Sequence, residues 1–154
     1  MHSLEKKGID CHLDILGEGP LRQKLFEKVK TLGISNRVKF HGHISEPYKM
    51  LQSADYLVIS SQSEGISRAV LEALFFGIPC ILRNVDANYG IIIPGVNGFL
   101  FQKDEELVNV LENAALSVQN GSAPRGENLL PPFFRQVECI EKFLALVRDL
   151  PDGL

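Results

Sequence analysis

The sequence predicts an α/β fold built on a parallel, doubly wound sheet. Short apolar runs alternate with amphipathic stretches along the chain, the pattern of strand–helix–strand units. The run Tyr56-Leu57-Val58-Ile59 is apolar throughout, as expected of a strand covered on both faces. Glycine, proline or serine follows most of the apolar runs and marks the turns between them.

Each element has its own signal. Residues 11–16 read as a first strand, broken by Gly17-Glu18-Gly19-Pro20, with Pro20 expected at the first helical position. Leu21, Leu25, Val29 and Leu32 recur at helical spacing before Gly33 ends the helix. Residues 38–41 form a second strand closed by Gly42, and a short helix follows over 46–53. After the strand at 56–59 comes a polar loop over 60–67, then a helix over 69–76 ended by Gly77. Residues 78–82 and 99–101 are further strands, separated by turns at Tyr89-Gly90 and at Pro94-Gly95-Val96-Asn97-Gly98. A helix over 104–117 carries acids in its first turn. Residues 119–132, with three prolines and two glycines, read as an internal loop or linker. The terminal segment 133–150 carries a last amphipathic helix, over 136–150.

Length and composition bound the rest. A chain of 154 residues and 17.1 kDa buries roughly 70% of its unfolded surface, enough for one domain, residues 1–154. Hydrophobic residues at 45% and charged ones at 23% exclude disorder over most of the chain. The net charge of -3 lacks the basic excess of a nonspecific nucleic-acid binder. Cys11, Cys80 and Cys139 are odd in number and have no CxxC spacing, which argues against a disulfide framework and a zinc site. No metal is expected. The N-terminal residues lack the apolar core of a signal peptide, and no apolar run approaches the ~20 residues of a membrane span. A soluble, cytoplasmic protein is the expectation.

Ligands in such sheets sit beyond the carboxyl ends of the strands. The most informative loop there is Ser63-Glu64-Gly65-Ile66-Ser67-Arg68-Ala69-Val70-Leu71-Glu72. Gly65 permits close approach of backbone to ligand. Ser67 is placed as N-cap, leaving free amides near Arg68, Ala69 and Val70 as an anion site. Ionised carboxylates such as Glu64 and Glu72 only accept hydrogen bonds, so paired sugar hydroxyls are their natural partners. A phosphate flanked by two such carboxylates describes a nucleotide sugar. Spacing alone leaves a plainer reading open, with Arg68 and Glu72 as an i,i+4 ion pair and Glu64 as a solvated loop acid.

Glu64-x7-Glu72, followed by Ala73-Leu74-x-x-Gly77-Ile78-Pro79, resembles the signature of the retaining GT-B glycosyltransferases of family four. Leu16-Gly17-Glu18-Gly19-Pro20-Leu21 is similar to the first βα turn of that family's C-terminal, Rossmann-like domain. Asn36-Arg37-Val38-Lys39-Phe40-His41-Gly42, Ala54-Asp55-Tyr56 and Gly95-Val96-Asn97-Gly98-Phe99-Leu100 resemble later family motifs in the same order. The resemblance spans about residues 11–117.

It implies a domain that binds a nucleotide-diphosphate sugar, such as a UDP- or GDP-sugar, with no separate cofactor. By resemblance Glu64 is the catalytic-site residue, on hydroxyls of the transferred sugar. Gly65, Ile66 and Ser67 line sugar and diphosphate, Ala69 and Val70 offer amides to the phosphates, and Glu72 takes both ribose hydroxyls. His43 and Ile44 border the base, with a surface-loop histidine as the alternative for His43. Gly17 and Gly19 serve as turn residues and ligand contacts, and Arg68 pairs with either a phosphate or Glu72.

The family places a strand, a turn and a helix before the strand at 11–16, with an Arg and a Lys that grip the diphosphate. Only ten residues precede Cys11 here, so that unit is expected to be absent, with part of its helix surviving over 3–7. The family's N-terminal acceptor-binding domain is a missing partner, and a second copy of the chain is a candidate cover for the truncated face. The fragment alone is expected to be inactive, and the whole enzyme cytoplasmic or peripheral to the inner face of a membrane. Two alternatives remain: a GT-B nucleotide-sugar epimerase domain, and a non-catalytic α/β module that binds a partner protein.

Overall fold

The computed structural model describes residues 1–63, 65–85, 88 and 90–135. The expected helix over 136–150, Cys139, Tyr89 and Glu64 lie outside the described residues. The elements run α1 (His2–Lys6), β1 (Leu13–Leu16), α2 (Arg22–Thr31), β2 (Val38–Gly42), α3 (Pro47–Ser53), β3 (Leu57–Ile59), α4 (Arg68–Phe75), β4 (Cys80–Arg83), β5 (Gly98–Phe101) and α5 (Asp104–Gln119). A short 3-10 turn follows at Pro132–Phe134. Every strand pairing is parallel, as the alternation of strands and helices predicts.

β4 is the most enclosed strand. Cys80 and Leu82 point to one face and pack with Val70, Ala73 and Leu74 of α4 and with Ile91. Ile81 points to the other face and packs with Phe101 of β5 and Ala114 of α5, against Val110 and Leu111. Period-2 alternation therefore feeds two separate apolar clusters from one strand, which makes the sheet doubly wound. Burial pushes the Cys80 thiol up to about 12.

α4 starts where residues 69–74 supply strong helix formers and ends at Gly77. There Ile78 N donates to Ala73 O at 2.8 Å and Gly77 N to Leu74 O at 3.1 Å, with Gly77 at φ +75°. This double closure satisfies carbonyls that the helix end would otherwise orphan.

The strands form two ladders, β1–β2 and β3–β4–β5, where the sequence reading expects one sheet. Among the described residues no ladder joins β1 to β3. Hydrophobic periodicity identifies strands but not their neighbours. α1 packs on α5, where Lys7 pairs with Glu112. Arg37 beside β2 binds Glu5 at 3.2 Å and Asp10 at 2.6 Å, which ties α1 to the β1–β2 ladder.

One further expectation needs correction. Pro20 lies in a turn, and α2 begins two residues later at Arg22. Arg22 N donates to Gly19 O at 3.1 Å, so the Gly-x-Gly-Pro turn consumes the residues assigned to the first helical turn. The segment following α5, read as a loop or linker, has no helix or strand over 122–131 and packs against the core as a strap. Leu129 N donates to Leu74 O at 2.7 Å, Asn97 Nδ2 donates to Leu129 O at 3.1 Å, and Leu130 joins the α4 cluster. Prolines excluded helix here, but they did not exclude burial.

The strap passes so close to α4 that a Cβ on Gly77 would lie 1.5 Å from Gly126 O. Gly95 has a similar positive φ of +78° but open space around it. Gly95→Ala is expected to cost only the left-handed strain, about 1–2 kcal/mol, whereas Gly77→Ala must also displace the strap and cost about 2 kcal/mol more. Urea denaturation of the two variants measures the difference. A second expectation concerns alkaline pH. The folded state keeps the Cys80 proton after the unfolded chain, with its thiol near 9.0, has lost it, so stability falls as pH rises from about 9 towards 12. Cys80→Ala is expected to lose about 1 kcal/mol less stability than the wild type between pH 8 and pH 10, read from denaturation curves at each pH.

Candidate functional site

The described site residues lie in the loops after β1, β2 and β3 and in the first turns of α4. Gly17 follows β1 at φ +105°, a backbone conformation that disfavours side-chain-bearing residues, and its N–H donates to Gly42 O at 2.7 Å. This contact closes the βα turn against the end of β2. Gly19 accepts the Arg22 amide, so both glycines have the turn role. His43 is exposed and Ile44 half-buried just beyond β2.

The third loop leaves β3 at Ser60 and enters α4 at Ser67. Gly65 is exposed, Ile66 is 60% exposed and Ser67 half-buried. Ser67 occupies the N-cap position in extended conformation, but its hydroxyl makes no capping bond. Its carbonyl accepts from Val70 N at 3.1 Å and Leu71 N at 3.2 Å. Val70 is thereby removed from the expected set of free amides, and its side chain is buried in the core. The Arg68 and Ala69 amides have no partner among the described residues. These two unpaired donors, at the positive end of an eight-residue helix, are the anion-binding feature that survives.

Glu72 lies one turn into α4, with its side chain 41% exposed, and pairs with Arg68 at 3.2 Å. The ion pair left open by the sequence is therefore made. Arg68 is 91% exposed, and an exposed i,i+4 pair contributes only about 0.3–0.5 kcal/mol. A ligand with hydroxyl donors can replace it at little cost. Glu64 lies outside the described residues.

Sequence reasoning missed two polar residues, Arg83 beside this site and Asn97 at the amino end of β5. Arg83 ends β4 with its side chain 13% exposed and bonds to three segments, among them Ser60 O at 3.1 Å. Asn97 is buried; it accepts from Ile93 N at 2.7 Å and donates to Ile91 O at 2.9 Å and Leu129 O. The available signals were an arginine ending an apolar strand and an asparagine inside a glycine turn.

An open groove of about 370 Å³ is lined by His12, Asp14, Arg37 and Lys39. It lies at the amino ends of β1 and β2, opposite to the loops described above. Among the described residues no three His, Cys, Asp or Glu side chains gather as a metal site. Nor is any described helix long and apolar enough to cross a membrane.

Residues 1–119 match the family described as glycosyl transferases group 1. The chain is 32% identical over 148 residues to N-acetyl-alpha-D-glucosaminyl L-malate synthase of Bacillus anthracis, covering 92% of this chain and 38% of that protein. It is 35% identical over 95 residues to lipopolysaccharide 1,6-galactosyltransferase of Escherichia coli K12, covering 58% and 26%. Among solved structures, it superposes on the apo lipopolysaccharide outer core galactosyltransferase WaaB with a TM-score of 0.72 and 26% identity, over 90% of this chain and 41% of that one. The Anabaena HepE complex with UDP gives 0.74 at 21% identity, over 91% and 41%, a likeness of fold. The chain thus spans about two fifths or less of the length of these relatives.

The missing cap bond makes Ser67→Ala a mild change. It is expected to cost under about 0.5 kcal/mol by urea denaturation, against the ~1 kcal/mol typical of a working N-cap serine.

Proposed function

The chain belongs to the glycosyl transferases group 1 family, and on that premise we propose that it is the donor-binding half of a retaining glycosyltransferase. Its substrate is a nucleotide-diphosphate sugar, and the reading calls for no cofactor beyond that donor. The observation that carries it is the α4 N-terminus: amides at Arg68 and Ala69 with no partner among the described residues, and the part-exposed Glu72 carboxylate one turn further on.

The chemistry follows from those groups. Breaking the sugar–phosphate bond leaves charge on the diphosphate, and aligned amides at a helix N-terminus stabilise that charge as it develops. Glu72 accepts both ribose hydroxyls and fixes the nucleoside, releasing Arg68 to turn towards the phosphates. Gly65, Ile66 and Ser67 border the sugar, and Glu64 binds its hydroxyls. Gly17, Gly19, His43 and Ile44 border the diphosphate and the base. HepE was solved with UDP and with UDP-glucose, which supports a uridine nucleotide as the first probe.

The acceptor, a glycan or lipid, is held by a second α/β domain. Where it is lacking, a second copy of the chain covers the same face. Cys11 and Cys80 are free thiols, which favours a reducing compartment such as the cytoplasm or the inner face of a membrane.

Calorimetric titration with UDP, GDP and their sugars tests the reading. Binding of one nucleotide class is expected, and Glu72→Gln is expected to weaken it by about 1.5–3 kcal/mol while the thermal midpoint stays within about 1 °C, because the Arg68 pair is exposed. Full-strength binding by Glu72→Gln, or no binding of either nucleotide, would overturn it. The 154-residue chain alone is expected to transfer no sugar in a radiolabelled-donor assay, since positioning of the acceptor accounts for ~7–11 kcal/mol of such barriers. Multiple turnovers would sink that part of the proposal.

A further inference from the structure

Among its described residues, the loop over 60–67 is held at its two ends and nowhere between. At its far end the Ser67 carbonyl accepts from α4. At its near end the Ser60 carbonyl accepts from Arg83 Nε at 3.1 Å. Among the described residues, none of 61, 62, 63, 65 and 66 makes a hydrogen bond. The direction in which the loop leaves β3 therefore depends on what fixes Ser60.

Arg83 fixes it to two other elements. Nη1 donates to Gln102 O at 2.8 Å, just past β5, and Nη2 donates to Asp104 in the first turn of α5. Its guanidinium also lies 4.9 Å from the Phe101 ring centre. Asn88 Nδ2 donates to the Arg83 carbonyl at 2.8 Å, and Asn84 N donates to Phe101 O at 2.7 Å. One planar group thus binds the carboxyl ends of β3 and β5 and the start of α5 from the end of β4. A guanidinium presents five N–H donors in a fixed fork; a lysine ammonium is a point charge on a flexible stem and does not fix three directions together. The ion pair contributes little here, since Asp104 is 78% exposed. The two carbonyl bonds are the distinctive part, because they turn side-chain rigidity into backbone geometry.

We propose that Arg83 is a positioning residue for the nucleotide-sugar loop: it anchors Ser60 so that the loop brings Gly65 and Ile66 to the core-anchored α4 N-terminus in one arrangement. This rests on the donor-site reading above for its consequence, and on the hydrogen bonds alone for its geometry. Arg83 acts through the backbone and touches no reacting atom.

The two parts separate in one experiment on the 154-residue chain. Arg83→Met keeps an unbranched stem over Phe101 and removes the fork; Arg83→Lys keeps the charge and serves where Arg83→Met fails to fold. Backbone 15N order parameters are measured for each, together with UDP affinity. Residues 60–62 are expected to be rigid in the wild type, near ~0.85, and to fall below ~0.6 in Arg83→Met, while Val70 to Leu74 are unchanged. Arg83→Lys is expected to fall between. UDP affinity is expected to drop about tenfold in Arg83→Met. Unchanged order at 60–62 in the variants, mobility there already in the wild type, or a loss of order spread equally over α4 would overturn the proposal. If the wild type binds no UDP, the donor-site reading fails, and the order parameters still decide whether Arg83 anchors the loop.

Discussion

Burial of β4 on both faces is the constraint from which the rest of the structure follows. A strand with Cys80 and Leu82 on one side and Ile81 on the other needs a helix on each face. α4 and α5 meet that need, and β3 and β5 pair with its two edges. A polar side chain inside this sandwich needs partners built for it, as Asn97 has. Arg83 and the loops beside it lie where β4 emerges. The position of the site is a consequence of how completely the core excludes water.

α4 has two tasks divided by its helical faces. Val70, Ala73 and Leu74 are buried and fix its axis, while Arg68 and Glu72 stay at the surface. Its amino end is open because the residues before it form an exposed loop, and its carboxyl end is closed by Gly77 against the strap. An anchored helix with an unsatisfied amino terminus is a preorganised electrostatic site: its donors need no reorganisation when an anion arrives. The exposed Arg68–Glu72 pair occupies that face at little energetic cost to a ligand that displaces it.

Much of this was legible in the residues. The apolar runs at β3 and β4 and the amphipathic pattern of α4 and α5 gave the elements within one or two residues, since burial on a fixed period leaves a direct trace in sequence. Neighbour relations leave no such trace, so the division into two ladders was invisible. Proline and glycine counts around 119–132 reported the absence of regular structure but were silent on burial, which Leu130 and its neighbours carry through single side chains. The Val70 amide was misassigned because a capping position read from sequence does not say whether the first turn closes on the Ser67 carbonyl. Arg83 was missed for a similar reason: its partners are two main-chain carbonyls and a carboxylate, and any residue provides a carbonyl.

The division into two ladders has a consequence for how the molecule melts. The β3–β4–β5 half contains both apolar clusters, whereas β1 and β2 are largely part-exposed and lie beside α2, which has no buried residue. Beyond the connecting chain, the halves are tied by α1 on α5 and by surface pairs such as Lys7 with Glu112. Cooperativity requires that opening one unit expose enough of the other to unfold it, and contacts of this kind transmit little of that penalty. Calorimetry of the chain should then register a van't Hoff enthalpy below the calorimetric one. A polypeptide that inserted a strand between the ladders would merge the two transitions into one.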